Sequence, residues 1–269
     1  MSELVHARVA DHLKRLRLGY VAERLDALLS EAARQDMTYL QFLDGLLNEE
    51  VAAKQRKRVG MHITIAHFPV VKTLDDFDFR FQPSLDQRLV KELATGRFIA
   101  NAENVLLFGP PGVGKTHLAI GLGRACIEAG YTTLFTTATA LITALAKAEA
   151  EGQLADKLAF YAKPKLLIID ELGYLPFERR SAHLFFQLVA RRYEKVSTLI
   201  TTNQAVARWG TVFGDDVIAA AILDRLLHHS HVLTIQGDSY RLKQKRKAGL
   251  LGSAKTENKD DTRGSVLLT

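Results

Sequence analysis

The chain has 269 residues, 47% of them hydrophobic and 25% charged, which suits one large domain or a core with a small accessory domain. Apolar runs such as Val105–Phe108 and Leu166–Ile169 are too short to cross a bilayer, and residues 1–20 are charged throughout, without the apolar stretch of a secretory signal. A single cysteine, Cys126, excludes an internal disulfide and argues against a cysteine-based metal site, so a cytoplasmic protein is expected.

Periodicity reads residues 1–60 as helices that pack into a small bundle. Val5, Val9, Leu13 and Leu16 share one face of a first helix. Val21, Leu25, Leu28, Leu29 and Ala32 make a stripe on a second. Thr38 and Gln41 form a capping box that opens a third helix, with Tyr39, Leu43, Leu46, Leu47 and Val51 inward. That helix ends in a basic cluster, Lys54, Arg56, Lys57 and Arg58. Gly60 and Pro69 then punctuate residues 61–74, read as a linker.

Residues 75–251 form the larger domain. Strand-like stretches at 105–108, 131–136, 166–169, 197–202 and 231–235 alternate with helical ones at 116–129, 138–152, 154–162, 181–193 and 217–228. Such alternation predicts an α/β fold with a parallel sheet flanked by helices. Residues 252–269 are polar, rich in small side chains and expected to be disordered. The formal charge of +6 gathers in the C-terminal region, around Arg241, Lys243, Lys245, Arg246 and Lys247. Basic clusters bind phosphate backbones, although a solvated face is the commoner role for such a run.

Gly109, Pro110, Pro111, Gly112, Val113, Gly114, Lys115 and Thr116 match the phosphate-loop pattern G-x-x-x-x-G-K-[ST] at every fixed position. Glycines let the backbone bring N–H groups against phosphate oxygens, and the helix that follows points its positive end at the same anions. Lys115 supplies charge to the β- and γ-phosphates, and the Thr116 hydroxyl is a Mg²⁺ ligand. The strand 166–169 runs straight into Asp170 and Glu171. Strand ends of a parallel sheet face the ligand crevice, so Asp170 would hold Mg²⁺ and Glu171 would act as general base on the attacking water. Asn203, just past a third strand, is placed to bond the water and the γ-phosphate. The expected cofactors are ATP and Mg²⁺.

Arg225 and Arg241 are candidates to stabilise charge on the γ-phosphate, whereas Arg191 and Arg192 read better as surface cations or salt-bridge partners. His228, His229 and His231 read as hydrogen-bonded structural residues rather than a metal cluster.

Taken together, Gly109–Thr116, Leu166–Glu171, Thr201–Asn203, Ala221–His229 and Gly237–Arg241 resemble the IstB-type transposition helper ATPases, relatives of the DnaC-type helicase loaders within the AAA+ class. Arg-Tyr-Glu at 192–194 and Trp209–Gly210 narrow the resemblance, which covers roughly residues 5–250. It implies an AAA+ P-loop core with a small N-terminal helical domain and a truncated C-terminal lid. Asn203 would then be sensor 1, Arg225 an arginine finger acting in a neighbouring subunit, and Arg241 the sensor 2 position. It further implies a homo-oligomer on double-stranded DNA that serves a DDE-type transposase encoded nearby. The DNA would follow Lys147, Lys157 and Lys163, or Lys54, Arg56, Lys57 and Arg58. A helicase loader is the alternative. A P-loop metabolic kinase is disfavoured by the lack of a second phosphate-acceptor motif.

Overall fold

A computed structural model describes residues 2–247 apart from Leu175. The chain opens with helices α1 (Ser2–Arg15), α2 (Gly19–Arg34) and α3 (Tyr39–Ile65). The Thr38 side chain accepts from the Gln41 N–H, and the Gln41 side chain accepts from the Thr38 N–H, so the expected capping box is formed. Two expectations need correction here. The third helix does not stop at the basic cluster but continues to Ile65, making the first residues of the expected linker helical. Gly60 meets nothing within 4 Å and costs the helix only a fraction of its stability, so one glycine did not break it.

The inward faces are also narrower than the periodicity suggests. Only Leu13, Val21 and Leu25 are buried, with Leu46 packed against them. Tyr39 is 96% exposed and Val51 66%, while Val5, Val9, Leu16, Leu29, Leu43 and Leu47 also face solvent. Three helices of this size have too little mutual contact to cover every apolar position that their sequences present.

Short helices α4 (Gln87–Ala94) and α5 (Arg97–Ala100) precede β1 (Asn104–Phe108). Then follow α6 (Lys115–Glu128), β2 (Thr133–Thr137), α7 (Ala138–Ala150), α8 (Leu154–Ala162), β3 (Leu166–Leu172), α9 (Arg179–Arg192) and β4 (Ser197–Thr202). The described chain ends with a 3₁₀ turn at Val206–Arg208, α10 (Trp209–Phe213), α11 (Asp216–Leu227), β5 (Ser230–Thr234) and α12 (Tyr240–Lys247). Residues 252–269, expected to be disordered, lie outside the described residues.

The five strands form one parallel sheet in the order β2-β3-β4-β1-β5. Alternation along each strand feeds two cores. Val105, Leu107, Leu166, Ile168 and Leu199 face α4, α5 and α6, while Leu106, Phe108, Leu167, Ile169 and Ile200 face α7–α11. Both faces are covered, which is why these strands read as unbroken apolar runs. The C-terminal ends of β1, β3 and β4 lie side by side, and everything that follows depends on that adjacency.

Candidate active site

The loop from β1 to α6 is shaped by glycines. Gly112 (φ 84°) and Gly114 (φ 101°) adopt left-handed backbone. A β-carbon on Gly112 would sit 2.1 Å from Ser239 Oγ, and one on Gly114 would sit 2.8 Å from the Phe77 ring, so neither position admits a side chain. Gly114 is also the N-cap of α6, which aims that helix's unpaired N–H groups into the loop.

This loop lines a cavity of about 740 Å³ together with Glu171, Thr201, Asn203 and Arg241. Lys115 Nζ donates to the carbonyls of Gly109 (2.7 Å) and Pro110 (2.9 Å). Burial pushes its ammonium below the ordinary lysine range, and Arg241 adds to that, while Asp170 and Glu171 oppose it. An ammonium held at this cost is best satisfied by a strong anion.

Opposite the loop, Asp170 is 3% exposed. Its carboxylate accepts from Thr116 Oγ1 at 3.0 and 2.9 Å and from Thr201 Oγ1. The two groups expected to share Mg²⁺ are therefore in direct contact. A hydroxyl and a carboxylate are hard oxygen donors of the kind that ion takes, with its remaining positions left to water and phosphate.

Glu171 is exposed on the cavity wall, and its backbone is left-handed (φ 61°). The register of β3 against β4 shifts between Ile169 and Leu172, so the acids sit in an irregularity of the ladder. β3 is consequently longer than its apolar run, extending through both acids to Leu172.

Other residues divide between the cavity and elsewhere. Asn203 and Arg241 are both on the cavity wall. Arg225 is not on it: its Nη1 donates to Ala221 O, and its guanidinium lies over the rings of Phe186 (4.8 Å) and Tyr193 (5.9 Å). Arg192 is no surface cation but is 2% exposed, bonded to the carbonyls of Tyr161, Pro164 and Ser197 and to Thr198 Oγ1. Arg191, the other cation expected at the surface, is exposed and donates to Ala155 O. Arg56, Lys57 and Arg58 are exposed on α3, and Lys54 pairs with Glu50 (3.5 Å). Lys147 pairs with Glu151 (3.8 Å), Lys157 lies over the Phe160 ring (5.1 Å), and Lys163 caps α8. His231 bonds Glu103, and His228 bonds the Tyr193 hydroxyl, as structural histidines would. His228 and His229 also approach Glu194 closely enough to form a three-ligand cluster on the exposed surface.

Three features of the cavity escaped the sequence reading. Tyr240 N–H donates to Gly112 O, so the start of α12 is fastened to the phosphate loop. Gln82, in the wall, has both side-chain polar atoms buried without a partner among the described residues. The Thr201 hydroxyl bridges the acid pair. None of these follows a motif spacing, and only the run of threonines ending β4 hinted at the last.

Comparison with known proteins gives a consistent picture. A family model described as IstB-like ATP binding protein matches residues 11–248. The ATP-binding protein of insertion sequence IS21 from Pseudomonas aeruginosa is 47% identical over 249 residues, covering 93% of this chain and 94% of that protein. Its counterpart in insertion sequence IS5376 from Geobacillus stearothermophilus is 46% identical, covering 89% and 95%. Among solved structures, AMPPCP-bound DnaA from Aquifex aeolicus aligns at a TM-score of 0.55 and 20% identity, over 70% of this chain and 57% of that one. The DnaI crystal structure aligns at 0.52 and 22% identity, over 61% and 90%. These two likenesses establish an AAA+ P-loop fold. Among the described residues, no helix is long and apolar enough to cross a membrane.

Proposed function

The chain belongs to the IstB-like ATP-binding protein family, and on that premise we propose that it is an Mg²⁺-dependent ATPase that oligomerises on double-stranded DNA to assist a DDE-type transposase. One observation carries the enzymatic part. Lys115, Thr116, Glu171, Asn203 and Arg241 line one cavity, with Asp170 bonded to Thr116 at its edge.

In this reading the loop N–H groups, Lys115 and Arg241 bind the triphosphate. Thr116 and Asp170 hold Mg²⁺, which supplies neutralisation of charge on the phosphate oxygens. Asn203 orients a water, and the Glu171 carboxylate takes its proton as the water oxygen bonds to the γ-phosphorus. ADP leaves with the electron pair of the broken bond, and the proton passes to solvent. Arg225 has one bond to its own helix among the described residues and lies over aromatic rings, and its other N–H groups would serve a neighbouring subunit's nucleotide.

DNA contact would fall to the exposed Arg56, Lys57 and Arg58 and to Lys163, with Lys54, Lys147 and Lys157 partly engaged within the chain. Such backbone contacts make affinity nearly sequence-independent and steeply salt-sensitive. In the same reading, residues 1–60 meet the partner protein or DNA. The insertion-sequence reading is preferred to the helicase-loader alternative because the relatives of high identity come from insertion sequences.

The test is Glu171→Gln. ATP affinity should stay within about 3-fold while turnover falls about 10²- to 10⁴-fold, the range for losing a positioned base. The variant should also accumulate as a DNA-bound oligomer with ATP, released by rising salt. Normal turnover would refute the base assignment, and salt-independent DNA binding would refute the backbone contacts.

A further inference from the structure

We infer that Thr201 is a positioning residue for the reaction, its one hydroxyl dividing the labour of the two acids. The inference rests on the hydrolytic reading above and deepens it.

Thr201 lies on β4, 1% exposed, yet it borders the cavity. Its Oγ1 does two things at once. It donates to Asp170 Oδ1 and accepts the Glu171 N–H at 2.9 Å. A hydroxyl has one hydrogen and two lone pairs, so a single group serves both without conflict.

The ladder explains why a side chain is needed. Ile169 pairs with Ile200, but the next pairing is Leu172 with Thr202. Asp170 and Glu171 therefore both stand opposite Thr201, and the extra residue cannot keep regular ladder bonds. The Glu171 N–H is left over, and Thr201 Oγ1 takes it in place of a backbone carbonyl. The same peptide carries Glu171 in left-handed conformation, one that a residue with a β-carbon adopts only when its surroundings impose it.

The consequence is directional. In a regular strand Asp170 and Glu171 would point to opposite faces of the sheet, one into each apolar core. Here Asp170 stays on the α6 side that Leu166 and Ile168 face, where it meets Thr116, while Glu171 is exposed at the cavity wall. Thr201 fixes the first by its hydrogen and the second through the peptide. Outer partners of this kind orient the groups that touch metal and substrate, and losing them costs about 10- to 100-fold in activity or metal affinity.

A merely structural threonine would fill the gap in the ladder and affect stability alone. Thr201→Val keeps the shape and removes the hydroxyl, and Thr201→Ser keeps the hydroxyl. We expect Thr201→Val to lower kcat about 10- to 100-fold and to raise the Mg²⁺ concentration for half-maximal rate, with affinity for a labelled ATP analogue within about 3-fold. Thr201→Ser should recover most of the rate and the wild-type Mg²⁺ requirement. If Val melts below the assay temperature, Thr201→Cys, a weak donor of similar size, takes its place. Unchanged kcat in the hydroxyl-free variant, or a serine variant as impaired as the valine one, would overturn the inference. Glu171→Gln measured alongside separates the two readings. If it turns over normally the hydrolytic assignment itself fails, and if it is inactive while Thr201→Val is normal only the role of Thr201 fails.

Discussion

Replacing Arg192 with lysine tests what ties the starts of β3 and β4 together. Its guanidinium reaches four acceptors from three nitrogens: Thr198 Oγ1 from Nε (3.0 Å), Tyr161 O (2.8 Å) and Pro164 O (3.1 Å) from Nη1, and Ser197 O from Nη2. Tyr161 and Pro164 lead into β3, and Ser197 and Thr198 open β4, so one side chain at the end of α9 ties together the starts of both strands. Burial pushes the guanidinium down to about 9, so it still carries its charge at neutral pH. Lysine has a single nitrogen and cannot span the fork, which leaves at least two of the four acceptors unserved. Each orphaned buried group costs about 1–3 kcal/mol, so two cost roughly 2–6 kcal/mol. In a protein of this size that lowers the melting temperature by roughly 4–24 °C. Urea unfolding followed by circular dichroism at 25 °C would read it as a lower midpoint at constant m-value. Because Arg192 is remote from the cavity, ATP turnover of the still-folded variant should stay within about 3-fold. A loss below about 1 kcal/mol would refute the accounting, and a collapse of turnover without loss of stability would refute the separation of scaffold from site.

Lys115→Ala should abolish the thermal shift produced by ATP while moving the nucleotide-free midpoint by less than about 2 °C, since the lost ammonium sits below its ordinary pKa through burial. In the unsubstituted protein the same depression means that the charge is lost at a lower pH than for an ordinary lysine. ATP affinity should therefore fall as pH rises towards the lysine range, in a nucleotide titration across pH. Arg225→Ala should bind ATP and fail to hydrolyse it, and mixing with Lys115→Ala subunits that retain Arg225 should restore turnover; no recovery would argue against action across an interface. Cys126 is fully buried on α6, and burial pushes its thiol up to about 12, so alkylation at pH 8 should proceed only on unfolding. Because its folded value lies above the ordinary 9.0, the stability it contributes is intact below that pH and is lost as pH rises towards about 12.

The phosphate loop was legible because its chemistry is local. Eight consecutive residues must supply the turn, the N–H groups, the ammonium and the hydroxyl, and no distant packing can replace them. The parallel sheet was legible for a related reason. Strands covered on both faces must be apolar throughout, so β1, β3 and β4 stand out within a few residues of their actual bounds. The same property hides the details. A run such as Leu166–Ile169 contains no alternation to say which side chain faces which core. Nothing in it marks where the ladder slips to release Asp170 and Glu171.

What the sequence concealed were relations between distant positions. Apolar spacing on α1–α3 identifies helices, but a helix does not announce which part of its stripe a neighbour will cover. Val9 and Leu13 carry the same periodic signal, yet Leu13 is 8% exposed and Val9 38%. Arg192 shows the converse error. A cation in the last turn of a helix normally faces water, and only the carbonyls of Tyr161, Pro164 and Ser197, brought there by the fold, make burial tolerable. Thr201 belongs to the same class. Its side chain matters because a neighbouring strand carries one residue too many, a defect visible only once β3 and β4 are set side by side. Motif chemistry thus names the groups proposed to touch ATP, while their orientation depends on pairings between segments that sequence spacing does not encode.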